Sequence, residues 1–251
     1  MIFIIFIFGL LFGSFYTVVG LRLPEGKSIF KPNSHCDNCE IELKWYELIP
    51  LVSYLLQWGK CKKCGAKIPL FYFCIELLTG LLFALCYYLY GFNYEFYTSV
   101  IIASVLIIIF VSDFKFMIIL DSPLLIGTIT VLILKYCYFG GIALRNALIS
   151  SFLMFMFLLL IKFWADKFYK REALGGGDVK LSLLTGAVLG MKLGLSSIII
   201  ASFLAVPYAV YGIIKNKDKE IPFGPFLISG LFITFIFMEI IANFIRTYFF
   251  F

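Results

Sequence analysis

From Met1 to Leu21 the chain carries no charged side chain, and apolar runs of similar length recur to its end. A helix needs about 20 apolar residues to cross the hydrocarbon core of a bilayer. By that measure we read eight spans, at about 1–21, 71–90, 97–112, 122–139, 143–163, 178–194, 195–214 and 225–245. Composition agrees: 62% of the 251 residues are hydrophobic and 14% charged, against about 25% charged in an ordinary soluble domain. Mean hydropathy is +1.01. The expected fold class is an all-α polytopic membrane protein of about eight transmembrane helices, with a small cytosolic zinc-binding insert. The expected domains are a first transmembrane helix at 1–22, a four-cysteine insert at 23–70, and a membrane bundle at 71–251.

The first run is not expected to be a cleaved signal peptide. It lacks a basic start and a small-residue cleavage site, and its charge follows it, at Arg22 and Lys27. Basic residues after the span place the amino terminus outside. Eight passages from there leave only Lys135, Arg145, Lys192 and Arg246, of 21 lysines and arginines, outside the cell. The net charge of +6 is therefore a topology signal, and nucleic acid is not an expected partner. The expected location is the inner (cytoplasmic) membrane, multi-pass, with the lipid bilayer as a partner.

Residues 23–70 form the one long polar stretch. They contain Cys36-Asp37-Asn38-Cys39 and Cys61-Lys62-Lys63-Cys64. Each C-x-x-C pair can form a tight turn that aims two sulfurs at one point, and two such turns complete a tetrahedron of thiolates suited to structural zinc. A redox or disulfide role is the alternative. Thiols in a cytosolic loop stay reduced, which favours metal. His35 reads as a solvated neighbour, because four sulfurs already fill the site. Cys74, Cys86 and Cys137 fall singly within spans and are expected to be small buried hydrophobes.

Charged groups at membrane depth are costly, so their default reading is functional. Asp113 ends the apolar run from Val100 to Val111. Asp178 closes the glycine run Gly175-Gly176-Gly177. Glycine lets the backbone leave helical geometry and approach another segment closely. Two carboxylates in contact cannot both ionise easily, so they share a proton and can act together as base and acid. Asp113 and Asp178 are therefore the candidate catalytic pair of a membrane aspartic protease. Asp121, just before Ser122 and Pro123, reads instead as a helix cap. Glu76 and Glu239 are further acids within spans, with no role chosen by sequence. A transporter using the two aspartates as a proton or cation relay is the competing class. It predicts inverted halves, and the Gly175–Asp178 pattern does not recur in the first half.

In this order, these elements resemble the type IV prepilin leader peptidases. Gly13-Ser14-Phe15 with Arg22-Leu23-Pro24 is similar to that family's first span. The cysteine pairs, Trp45-Tyr46-Glu47-Leu48-Ile49-Pro50 and Glu76-Leu77-Leu78-Thr79-Gly80 resemble its insert and second span. Asp113 to Asp121, Gly175-Gly176-Gly177-Asp178-Val179-Lys180-Leu181 and Ile221-Pro222-Phe223-Gly224-Pro225-Phe226 resemble its catalytic segments and last-span entry. The resemblance implies that Asp113 and Asp178 are the catalytic pair. It implies cytosolic cleavage of the leader of type IV prepilin or pseudopilin precursors, before the hydrophobic pilin helix. It also implies methylation of the new amino terminus from S-adenosylmethionine. A peptidase without methyltransferase activity is the runner-up. One departure is Lys115, where many members carry a second acid. No glycine-rich nucleotide loop is present, so the cofactor's residues stay unassigned.

Overall fold

The computed structural model describes residues 1–170, 174–214 and 222–249. Arg171, Lys215, Lys217 and Lys219 of the basic loops, and Ile221 of the last-span entry, lie outside the described residues. Among the described residues there are helices and turns and no strand beyond isolated bridges. This follows from the bilayer, where a helix satisfies its own backbone groups. The chain divides into two compact units, Met1–Phe96 and Tyr97–Phe251.

In the first unit, α1 (Ile2–Arg22) packs along α3 (Leu70–Tyr90). Helices in lipid associate by close van der Waals fit, which small residues permit. At Gly9 an added Cβ would stand 2.8 Å from the Gly80 Cα, so only glycine allows this approach. The polar groups on the seam are satisfied locally. The Thr17 hydroxyl donates to the Gly13 carbonyl (2.9 Å) and the Thr79 hydroxyl to the Ile75 carbonyl (2.7 Å). Between these helices the insert holds a short 3₁₀ turn (Trp45–Glu47) and α2 (Val52–Leu56).

The second unit is built on α4 (Tyr94–Phe116), α5 (Asp121–Tyr169), α6 (Gly176–Ile214), α7 (Gly224–Ile236) and α8 (Met238–Phe249). Ile102, Ile107, Ile109 and Val111 of α4 are wholly buried, as are Leu184 of α6 and Ile228 and Leu231 of α7. These apolar side chains form the core.

Neither α5 nor α6 is a straight rod. Asp121, at one end of α5, pairs with Lys180. Lys162, near the other end, bonds the Leu174 carbonyl and acts electrostatically on Asp178. On a straight helix Asp121 and Lys162 would stand about 60 Å apart, yet both meet the start of α6. The helix must fold back, and it does so at Gly140, whose φ of 77° and ψ of −173° suit glycine alone. The same holds for α6. Its start packs on Ile119 through Gly177, while Tyr208, about 45 Å further along a straight helix, meets Phe114 and Phe226. Gly190, with φ 73° and ψ −175°, makes that turn.

Among the described residues, five helices are long and apolar enough to cross a membrane, or six if α7 and α8 are joined. The chain is a multi-pass membrane protein, but this count does not confirm the eight expected spans. Two differences account for it. The expected pairs 122–139 with 143–163, and 178–194 with 195–214, are each one long helix broken at a glycine. The expected span 225–245 is not one helix, because α7 and α8 are bent by 84° at Phe237. The lone cysteines also divide: Cys86 is buried, whereas Cys74 and Cys137 are exposed.

Candidate active site and metal centre

Asp113 lies in the last turns of α4 and Asp178 in the first turn of α6. The segment between α4 and α5 carries Ile119, and this side chain is the wedge on which the site closes. A Cβ at Gly177 would meet Ile119 Cβ at 2.7 Å, and one at Gly224 would meet its Cδ1 at 2.7 Å. Gly177 and Gly224 therefore admit Ile119, and the start of α7 reaches Asp113. The two carboxylates lie near enough for the Asp113 charge to act on Asp178. Asp113 is only 5% exposed and Asp178 6%, so each is sheltered from bulk solvent.

Each carboxylate is held by one glycine N–H. Gly224 donates to Asp113. Gly175 donates to Asp178 across the first turn of α6, as the third-position acid of a capping box accepts from the residue before the helix. Each also keeps one buried oxygen without a hydrogen-bond partner among the described residues, Oδ2 of Asp113 and Oδ1 of Asp178. Buried polar atoms of this kind are rare and call for an explanation. Two such oxygens, on carboxylates close enough to act on one another, can bind water and exchange protons.

A cation stands beside the pair. Lys162 donates to the Leu174 carbonyl, lies 3.3 Å from Asp166, and attracts Asp178. It thereby ties the end of α5 to the turn that delivers Asp178. Asp121 does not join the pair. It lies in the first turn of α5, more than half exposed, and binds Lys180 Nζ at 2.7 and 2.8 Å. The N-cap position is Leu120, which has no side-chain cap bond, so the ion pair takes the place of the cap read from sequence. Glu76 is half-buried in α3, where it accepts from the Leu51 N–H at 2.9 Å and from Ser14. Glu239 lies exposed on α8.

Sequence reasoning missed Lys162, Ile119 and the role of Gly224. Lys162 left one signal, a cation within the apolar run from Met154 to Phe163, four residues before Asp166. Gly224 left another, the Gly-Pro start of a helix. Ile119 left none, since it is one isoleucine among many.

In the insert, the sulfurs of Cys36, Cys39, Cys61 and Cys64 lie within 4.8 Å of one another. The two turns repeat one geometry. Cys36 N–H donates to the Ile41 carbonyl and Cys61 N–H to the Ala66 carbonyl. Glu40 (φ 55°) and Gly65 (φ 71°) occupy the same left-handed position after each second cysteine. Backbone N–H groups point at sulfur as well. Those of Asn38 and Cys39 lower the Cys36 thiol, and that of Ala66, with Asn38, holds the Cys64 thiol down at about 6. Ile41 acts the same way on Cys39, but desolvation and the neighbouring cysteines outweigh it and push that thiol up to about 11.

The set could hold a metal ion such as zinc. With Zn–S bonds of about 2.3 Å, tetrahedral sulfurs stand about 3.8 Å apart, and Cys36 and Cys64 are 3.8 Å apart. His35 is not in the cluster. Its Nδ1 bonds the Asn33 carbonyl at 3.0 Å.

A helical membrane protein with a sheltered carboxylate pair in one unit and a four-cysteine cluster in the other is the class that fold and site define. Comparison with known proteins narrows it. Residues 7–90 match the bacterial peptidase A24 N-terminal domain, and residues 100–210 match the type IV leader peptidase family. A Bacillus subtilis protein named prepilin leader peptidase/N-methyltransferase is 33% identical over 253 residues, covering 97% of each chain. A protein of that name from Myxococcus xanthus is 35% identical over 84% of this chain and 62% of its own. Another from Vibrio cholerae is 29% identical over 91% of this chain and 94% of its own. No solved structure matches at a significant level. The chain belongs to the type IV leader peptidase family.

Proposed function

We propose that Asp113 and Asp178 are the catalytic pair of an aspartic endopeptidase that removes the leader of type IV prepilin or pseudopilin precursors. The observation that carries this is the pair of sheltered carboxylates, each next to a glycine backbone N–H and each with one buried oxygen that has no hydrogen-bond partner among the described residues. The enzyme is a prepilin leader peptidase and N-methyltransferase, as relatives aligned over most of the chain are named.

In the reaction one aspartate is ionised and the other protonated. The ionised carboxylate takes a proton from water as the water oxygen attacks the scissile carbonyl carbon. The protonated one gives its proton to the carbonyl oxygen. Collapse of the tetrahedral species breaks the C–N bond. The leaving amine takes the proton that water gave up, and the carbonyl re-forms as its proton returns to the pair. Both aspartates need their free oxygens on the same water and carbonyl. The glycine N–H contacts and the Lys162 tether orient them for that.

The second activity acts on the amine so exposed. S-adenosylmethionine supplies the electrophilic methyl group. The chain's own contribution is to bind the cleaved amino terminus and accept its proton. Within the first unit the insert at 23–70 is a separate functional part, with Cys36, Cys39, Cys61 and Cys64 holding one structural zinc. A four-sulfur site has no open position for catalysis, so metal would act through folding.

We further infer eight passages. They are α1, α3, α4, the arms 121–139 and 141–169 of α5, the arms 176–189 and 191–214 of α6, and the short helix α7, whose 13 residues reach about 20 Å from the cytosolic side into the outer leaflet. The turns at Gly140 and Gly190 support this reading. It puts the amino terminus outside the cytoplasmic membrane, as the distribution of basic residues suggests. Incubating purified protein with a prepilin, with and without S-adenosylmethionine, and weighing the products by mass spectrometry tests both activities.

A further inference from the structure

The bend at Phe237 leaves α8 nearly perpendicular to α7, which is buried along almost its whole length. The sides of α8 differ in character. Ile241, Ala242 and Ile245 are half-buried against the bundle. Ile240, Phe244 and Tyr248 form an exposed apolar strip one helical turn apart, and Glu239, Asn243, Arg246 and Thr247 form a polar face. A helix with one polar face and one exposed apolar strip suits the boundary between headgroups and acyl chains.

Under α8, beside the Gly190 turn, lies a cavity of about 470 Å³. Its walls are apolar: Leu189, Met191 and Leu193 from the turn, Ala242 and Ile245 from α8. The charged side chains lining it are Lys192 and Arg246, both cations, with no acid among them. It lies at the end of the α6 arms away from Asp178, so peptidase chemistry does not account for it. Five apolar walls do not suit a free, fully hydrated anion. They do suit a molecule with a phosphate at one end and hydrocarbon at the other.

We propose that α8 lies along the membrane surface and that Lys192 and Arg246 bind the phosphate of an anionic phospholipid in this cavity. The lipid's glycerol and upper acyl chain rest on Leu189, Met191, Leu193 and Ile245. The exposed strip of Ile240, Phe244 and Tyr248 enters the same leaflet. In the eight-passage reading this is the outer leaflet of the cytoplasmic membrane.

The test uses full-length protein in a neutral detergent, titrated with phosphatidylglycerol, phosphatidylcholine or inorganic phosphate and read by native mass spectrometry. Phosphatidylglycerol should bind in preference to phosphatidylcholine. Lys192→Gln with Arg246→Gln should weaken it roughly ten- to thirty-fold, in protein that still cleaves prepilin. Equal binding of the two lipids, or undiminished binding by the double variant, would overturn the site. Competition by millimolar phosphate would overturn it too, by showing a free-anion site. Phe244→Trp in bilayers of brominated lipids tests the placement of α8. The quenching it adds to that of the native tryptophans should be strongest with bromines near the headgroups. Strongest quenching from bromines at the bilayer centre would show that α8 crosses, and would overturn the placement.

Discussion

The backbone N–H of Gly224 donates to the carboxylate of Asp113, joining the first residue of α7 to the last turns of α4. A Cβ at this position would stand 3.0 Å from Asp113 Oδ2 and 2.7 Å from Ile119 Cδ1. Gly224→Ala is expected to lower prepilin cleavage by about a hundredfold, the scale on which small misplacement acts in catalysis. Removing the opposing methyl by Ile119→Val should recover part of the loss. Initial cleavage rates of the single and double variants check this.

The Asp121–Lys180 pair spans α5 and α6 with both partners about half exposed. Exposed ion pairs contribute about 0–1 kcal/mol. Asp121→Asn and Lys180→Met should each retain substantial cleavage, within about tenfold of the parent, and shift the melting temperature little. Loss of activity to the level of an Asp178 variant would give Asp121 a catalytic part.

The turns at Gly140 and Gly190 are what let two long helices fold back. At Gly190 a side chain would be forced into a conformation that costs about 1–3 kcal/mol, although space is available, since the nearest atom to an added Cβ is Ser150 Oγ at 3.8 Å. Gly190→Ala should therefore lower thermal stability in detergent by about that amount, with the fold kept. An unchanged melting curve would mean that the turn tolerates another backbone geometry.

The two glycine turns also show how far the fold could be read in advance. For α5, expected spans ending at 139 and restarting at 143 flank Gly140 and Gly141, because hydropathy and glycine punctuation coincide there. For α6 they do not. The apolar run continues through Gly190, and the expected boundary between residues 194 and 195 falls past the turn. The bend at Phe237 left no signal at all, since neither glycine nor proline occupies it. At the candidate site, Asp113 and Asp178 were legible because a charge in an apolar run is conspicuous. Their neighbours Ile119, Lys162 and Gly224 were not, because contacts between distant segments exist only once the helices have packed. The cysteine pairs were legible as a set because local spacing defines each turn.

For the insert, purified protein is expected to carry about one zinc per chain, lost in Cys36→Ser with Cys61→Ser. Cys61→Ser with Cys64→Ser should impair methylation more than cleavage and release unmethylated pilin. Elemental analysis and product masses together check this. Absence of zinc, with disulfides mapped among the four cysteines, would replace metal with a redox role.

The most direct test of the catalytic pair is the mass of prepilin after incubation with Asp113→Asn and with Asp178→Asn. Asparagine keeps the shape of the side chain but cannot exchange the proton. Each variant should cleave at least about a thousandfold more slowly, while melting like the parent. Asp178→Asn should still methylate a pilin supplied already cleaved. Normal cleavage by either folded variant would contradict the assignment of Asp113 and Asp178 as the pair that hydrolyses the leader.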